Sequence, residues 1–320
     1  MRLTTGLVAL ALFAAGCGGG GGDEASTKGG ETKLKVQETA GVPSAFVAFG
    51  IEKGIFEKQK LDVDLSPTQG GAATIPALVS GDIQVGGSNV VSLLLGASKD
   101  LPIKVIASGT KAQAEGSKDF GAIVVGKGSD IGDVKDLAGK TIAVNTLNNV
   151  AEVVVKASLE KHGVDPESVK LVEVPFPEMA PGLAKKSFDA AFSIEPFVTL
   201  TVQQGGKAID YSYVETESEM QIGAYAVTKQ YAAENGDAVD RYAKAIAENA
   251  AYVAGHQEEF RTFLSEDAKI DPKLAKQIVL PQWSEQVDAE SMAATAKLME
   301  KYGLVDGPID ASKLTEGGSE

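Results

Sequence analysis

Leu61-Asp62-Val63-Asp64-Leu65, then Gln69-Gly70-Gly71, then Ala73 to Val79: this stretch sets the fold class of the chain. Its first five residues alternate apolar and polar side chains as a half-buried strand does, the glycines turn the chain, and the apolar run beyond them reads as a helix. The unit recurs on both sides. Leu34 to Glu38 alternates likewise and precedes a helical spacing from Ser44 to Phe56 that closes near Gly54. Ile83 to Val85 is a short strand running into the loop Gly86-Gly87-Ser88-Asn89 and a helix from Val90 to Gly96, and Ile103 to Ala107 is a fourth strand. Strands alternating with helices require crossovers and therefore a largely parallel α/β sheet.

The pattern restarts at Phe120. Strands are expected at Ala122 to Val125, Thr141 to Val144, Val169 to Val174 and Ala190 to Ser193. Helices are expected at Asp133 to Leu137, Val150 to His162, Met179 to Lys185 and Pro196 to Gln203. Gly163 ends the long helix as a C′ glycine, and Asp165-Pro166 opens the next turn as N-cap and N1. From Asp237 onward the strands stop and helices follow, at Ala238 to Ala254, Glu258 to Leu264, Pro272 to Val279 and Ala289 to Tyr302. Two α/β lobes need two connections, placed near Gly116 to Asp119 and Glu219 to Gly223. The expected division is 33–117 with 222–320 as the first lobe and 118–221 as the second.

Ahead of the lobes, Arg2, the apolar run Leu7 to Ala15, and Gly16-Cys17 describe an export signal over 1–16, too short to span a bilayer as a mature helix. Ala15-Gly16-Cys17 resembles the lipobox of bacterial lipoproteins, with Ala14 where its leucine usually stands. Cys17 is the single cysteine of the chain, so it forms no intramolecular disulfide and is read as the lipidation site. The Gly18 to Gly22 run and the polar residues after it read as a flexible tether over 17–32. Lysine and arginine total 30 against 44 aspartates and glutamates, a formal charge of −14 spread without a basic block, which argues against nucleic acid or an anionic lipid surface as partner.

Several stretches, taken in order, resemble one family. They are Phe46 to Lys58 with its Lys53-Gly54-Ile55-Phe56-Glu57-Lys58 cadence, Ala77 to Ile83, Pro102 to Ala107, Ile131 to Val144 with Asp136-Leu137-Ala138-Gly139-Lys140, and Phe188 to Phe197 with Glu195-Pro196-Phe197. Together they resemble the ABC-importer substrate-binding proteins of the nitrate, sulfonate, taurine and thiamine-pyrimidine group over roughly Lys33 to Phe260. Ser193-Ile194 stand where that family commonly has a tryptophan before Glu-Pro. The resemblance implies a type II periplasmic-binding-protein fold, α/β, with ligand between two lobes. It also implies a monomer that delivers a small molecule to an ABC permease with a cytoplasmic ATPase, touches the membrane only through its lipid, and needs no cofactor or metal.

In open parallel sheets ligands sit beyond the carboxyl ends of strands, where helix N-termini present free N–H groups. Five loops fit that description: Gly41 to Ala45, Gln69 to Ala72, Gly87 to Asn89, Asn145 to Asn149 and Ser193 to Pro196. Their candidate ligand contacts are Pro43, Ser44, Gln69, Gly70, Gly71, Ser88, Asn89, Asn145, Thr146, Asn148 and Asn149. The glycines let a ligand approach the backbone, and the hydroxyl and amide side chains donate or accept; each of the latter reads equally as a helix N-cap. Glu195 reads either as receiving a ligand amine or as an acid favoured at a helix start. Tyr225, Phe46 and Phe192 offer stacking faces or core filling.

The arginines beyond the signal are Arg241 and Arg261, both in the C-terminal helices, so no cleft loop offers a guanidinium fork for a sulfonate. That favours a neutral, amine-bearing or heterocyclic ligand. Gly139-Lys140-Thr141 lacks the earlier P-loop glycine, since Val134 stands there, and Ile131 replaces the third glycine after Gly126-Lys127-Gly128. His162 and His256 fall outside the loops and are expected at the surface, which leaves no Cys–His pair or histidine zinc site. A non-enzymatic importer receptor is therefore expected, with a ligand sensor, or an enzyme on the same scaffold, as the alternatives.

Overall fold

The computed structural model describes residues 30–266 and 269–315. The expected signal, Cys17 and the Gly18 to Gly22 run lie outside the described residues.

Twelve strands follow in chain order. These are β1 (Thr32–Thr39), β2 (Leu61–Thr68), β3 (Val85–Asn89), β4 (Ile103–Ser108), β5 (Thr110–Lys111), β6 (Gly121–Val125), β7 (Thr141–Val144), β8 (Lys170–Glu173), β9 (Ala190–Ile194), β10 (Lys207–Asp210), β11 (Gly223–Thr228) and β12 (Gln282–Trp283). The helices of the first half are α1 (Val42–Glu52), α2 (Ile55–Lys58), α3 (Gly71–Ser80), α4 (Val90–Ser98), α5 (Val150–Lys161), α6 (Phe176–Ala184) and α7 (Phe197–Gln203). Beyond them come α8 (Ser212–Thr216), α9 (Lys229–Glu234), α10 (Gly236–Gly255), α11 (Gln257–Glu266), α12 (Pro272–Ala275), α13 (Ala289–Lys301) and α14 (Ser312–Thr315).

Two five-stranded sheets form the lobes, in the orders β2-β1-β3-β11-β4 and β8-β7-β9-β6-β10. The two orders share one plan. In each, three strands pair in parallel and the fourth position is held by an antiparallel strand, β11 in the first lobe and β6 in the second. Both antiparallel strands are the ones that have just arrived from the other lobe, which enter their sheet against the direction of its βαβ units. The crossings run side by side, with Ala112 N–H donating to Met220 O at 2.9 Å and Glu219 N–H to Gln113 O at 3.0 Å. This short antiparallel ribbon joins the lobes.

Strand alternation decides what β1 buries. Thr32, Leu34, Val36 and Glu38 point inward while Lys33 and Lys35 are exposed. On one side of the first sheet α10 buries Val239, Tyr242, Ile246, Asn249 and Val253, a helical stripe of the kind that burial of about 1.5–3 kcal/mol per large apolar side chain stabilises. Asn249 ties it to α1 by donating from Nδ2 to Phe46 O at 2.7 Å.

The structure departs from the sequence reading in several places, and the helix expected at Pro272 to Val279 ends at Ala275. Gly86 to Asn89, expected as a loop, is strand, because β11 returns antiparallel and pairs Gly86 to Asn89 with residues 223–226. The helix expected from Ser44 to Phe56 is broken into α1 and α2 by Gly54, which sits at φ 68. The strands β10 and β11 were not legible from alternation, and two residues of strand, β12, pair with β5 after the point where strands were expected to stop.

Candidate functional site

The carboxyl ends of strands from both sheets meet at one cleft. From the first lobe come Glu38 and Thr39 at the end of β1, Pro43 at the start of α1, Gly70 ahead of α3, and Ser88 and Asn89 at the end of β3. The second lobe contributes Asn145, Asn149, Phe176 and Ile194, with Phe120 from the outgoing crossing and Tyr213 from α8. Between them lies a cavity of about 40 Å³, room for a water or two, so the lobes stand closed and must part to admit a solute.

Hydrogen bonds fix the rim. Asn145 Nδ2 donates across the cleft to Gln69 O at 2.8 Å. Its orientation is set by Asn149, whose Nδ2 donates to Asn145 Oδ1 at 2.9 Å and to Thr146 Oγ1 at 2.7 Å, while Asn149 Oδ1 caps α5 at Ala151 N. Asn89 is likewise committed, accepting from Ser92 N at 2.9 Å and donating to Ser92 Oγ at 3.0 Å. Replacing Asn145 by alanine removes one net hydrogen bond of about 0.5–1.5 kcal/mol from the closed state. The expected result is ligand affinity about 3- to 10-fold weaker with an unchanged far-UV circular dichroism spectrum; unchanged affinity would mean the contact plays no part in closure.

Not every candidate lies on the cavity. Ser44 faces a second, larger hollow of about 820 Å³ between α1, β2, α7 and the α11–α12 region, lined mainly by apolar residues such as Ile51, Leu65, Phe197 and Leu274. The smaller cavity is the better candidate site, because polar groups of both lobes converge there. Gly71 packs against Ser88 and Ser92. Thr146 is half-buried, and Asn148 is exposed at φ 54 with its N–H on Glu152. Tyr225 is a correction: it does not line the cavity, and it hydrogen-bonds Glu38 and packs against Tyr242. Phe46 and Phe192 are core as well, Phe46 stacking on Trp283 at 4.7 Å and Phe192 meeting Tyr213 edge-on. Of the histidines, His256 is exposed, while His162 is half-buried with Nδ1 on Ser158 O, since it caps α5.

Glu195 faces inward without touching the small cavity. Its Oε1 accepts from Thr199 Oγ1 at 2.6 Å and from Val279 N at 3.2 Å, and its Oε2 accepts from Thr199 N at 3.0 Å. Burial raises its pKa against those hydrogen bonds. Its carbonyl accepts from Val42 N at 3.3 Å, so this residue joins α7 to both α1 and the segment after α12.

Sequence reasoning missed Glu38. Its carboxyl is pushed up to about 7, first by burial, against hydrogen bonds from Thr39 and Tyr225. The signal was present in the alternation Leu34, Val36, Glu38, which puts a carboxylate on the buried face of β1. Phe120, Phe176, Tyr213 and Thr110 carried no such signal, since their places on the cavity follow from how the crossings and the second lobe fold back.

Comparison with known proteins places these features in context. Residues 44–260 match the family described as NMT1/THI5 like. The taurine-binding periplasmic protein of Escherichia coli (strain K12) is 28% identical over 218 residues, 68% of this chain and 64% of that protein. The matched stretch thus spans just under two thirds of that relative. The putative aliphatic sulfonates-binding protein of Bacillus subtilis (strain 168) is 26% identical over 279 residues, 85% of this chain and 80% of that one. Among solved structures, the alkanesulfonate-binding protein SsuA from Xanthomonas axonopodis pv. citri bound to MOPS superposes with a TM-score of 0.74 at 15% identity, covering 88% of this chain and 97% of that one. Likeness at that identity establishes the shared two-lobed α/β fold.

Proposed function

The chain belongs to the NMT1/THI5-like family, and on that premise we propose that it is the extracytoplasmic solute-binding component of an ABC importer. In this reading 33–117 with 222–320 and 118–221 act as the two bodies that close on a small molecule and hand it to a permease coupled to a cytoplasmic ATPase. The observation that carries it is the cleft itself, where polar groups from both lobes converge on one cavity and Asn145 already bridges to Gln69. Hinge closure around a solute follows when the ligand contacts both lobes, since it then stabilises the closed state alone.

The relatives' names point to taurine and aliphatic sulfonates as solutes to test, beside nitrate, pyrimidines and amines. Lipidation at Cys17 would hold the protein, as a monomer, to the outer side of the membrane. A binding role without chemistry fits the cavity lining, whose described residues include one carboxylate, Glu38, and no histidine, cysteine, lysine or arginine to serve as nucleophile or base partner. A thermal-shift screen of the full chain tests the proposal. A true solute at ~100 times its dissociation constant adds about 2.7 kcal/mol, which raises Tm by roughly 4 °C for a protein of this size. Absence of any shift across these solutes, with turnover of one of them, would replace the receptor reading by the enzymatic one.

A further inference from the structure

Resting on the solute-receptor reading above, we propose that the solute is a small organic cation, an amine whose ammonium lies between the Glu38 carboxylate of the first lobe and the aromatic wall of the second.

Glu38 is the only acid or base of ordinary carboxylate, lysine, arginine or histidine type among the described residues of the cavity wall. It is held there by construction. Gly87 of β3 stands against Glu38, and a Cβ on it would come within 2.1 Å of Glu38 Oε2. The glycine leaves its space to the carboxylate. Tyr225 from β11 hydrogen-bonds the same carboxyl from below, and Thr39 N–H donates to Oε1 at 2.6 Å. A carboxyl fixed at the cavity wall and only 7% exposed is held in its charged form best by a positive partner, because a desolvated charge is costly alone.

The opposite wall suits the same partner. Phe120 and Tyr213 stack with centroids 5.2 Å apart, and Phe176 lines the cavity beside them. Aromatic faces attract ammonium groups through the ring quadrupole, more strongly once water is excluded. An anion meets the reverse arrangement. The helix N-termini that would serve it are largely occupied: Asn89 caps α4, Asn149 caps α5, and Val42 N at the start of α1 is taken by Glu195 O. α3 at Gly70-Gly71 and α6 at Pro175-Phe176 open without a side-chain cap, and the first amides of α3 suit a neutral hydroxyl or carbonyl oxygen of the same molecule.

The pH behaviour follows from the groups around Glu38. Tyr225 of β11 and Tyr242 of α10 face it, and burial holds both protonated. Its neighbours Pro67 on β2 and Gly87 on β3 are not ionisable, and Tyr213 across the cavity also stays protonated. Asp119, next to the wall residue Phe120, has its carboxyl pushed up to about 6 and engaged by the N–H groups of Phe120 and Gln113. Glu38, pushed up to about 7, is therefore the group that turns on across neutrality. A cation binds the ionised form, so affinity rises with pH. The ionised fraction grows about tenfold between pH 6 and 8 for a group titrating near 7.

The test is calorimetric titration of the full chain with ethanolamine, butylamine, tetramethylammonium and butanesulfonate at pH 6 and pH 8. The expected result is binding of at least one of the three cations, about tenfold tighter at pH 8. Glu38→Gln should weaken it at least tenfold and remove the pH dependence, while Glu38→Asp weakens it and keeps that dependence. A melting curve at pH 5, where the wild-type acid is also neutral, checks that the Gln variant is folded. Binding of butanesulfonate without any cation overturns the inference and leaves the receptor reading intact. Cation binding that ignores both pH and Glu38→Gln overturns it too, and silence from all four probes counts against the inference and the receptor reading together.

Discussion

Replacing Glu195 by alanine is expected to cost about 3 kcal/mol of folding stability and to loosen the lobes. The carboxyl is 1% exposed and accepts from Thr199 N, Thr199 Oγ1 and Val279 N. Truncation leaves those three donors buried without their acceptor, at about 1–3 kcal/mol for each that finds no new partner. It also detaches α7 from the segment following α12, which is packed against the first lobe. Urea denaturation should show the lower midpoint, and small-angle scattering a larger radius of gyration; an unchanged midpoint would show that the network is incidental. Glu195→Gln separates charge from shape. Because burial raises the folded-state pKa of Glu195, the folded protein holds its proton more tightly than the unfolded chain. The wild type therefore loses stability as pH rises from the ordinary carboxylate range toward the raised value, and the Gln variant should lack that part of the slope.

Gly71→Ala is expected to cost about 2–4 kcal/mol and to abolish solute binding. A Cβ at this position would lie 2.2 Å from Ser92 Cβ and 2.4 Å from Ser88 Oγ, so the start of α3 must move away from β3 and α4. That movement carries with it Gly70, which lines the cavity, and the Gln69 carbonyl, which accepts the bridge from Asn145. Gly236→Ala is the control. Nothing lies within 4 Å of its Cβ position and it begins α10, so it should be neutral or stabilise by up to about 1 kcal/mol. Chemical denaturation of the two variants in parallel checks both values, and equal stabilities would show that the α3–α4 contact is soft.

Much of the architecture was legible because it rests on local periodicity. The strand at Leu61, the helices at Val90 and Val150, and the buried strands at Thr141 and Ala190 each advertise themselves through alternation or apolar runs. Gly86 to Asn89 did not, since two glycines and two polar residues read as loop by every local rule. What makes them a strand is hydrogen bonding to β11, whose sequence lies more than 130 residues further on. Long-range pairing overrides local propensity there.

Of the site, the sequence reading reached Pro43, Gly70, Ser88, Asn89, Asn145 and Asn149 by one rule, that strand ends face the cleft, and these line a single cavity. It did not reach Glu38, although the period of two along Leu34, Val36 and Glu38 had already committed that side chain inward. The strand-then-helix repeat by itself determined two α/β lobes and the kind of loops between them, because amphipathic spacing is a property of neighbours in the chain. Only the tertiary structure decided which charge stands in the cleft: Gly87 on the next strand leaves the room, Tyr225 from beyond the second lobe supplies the hydrogen bond, and closure of the two sheets brings the aromatic wall against them.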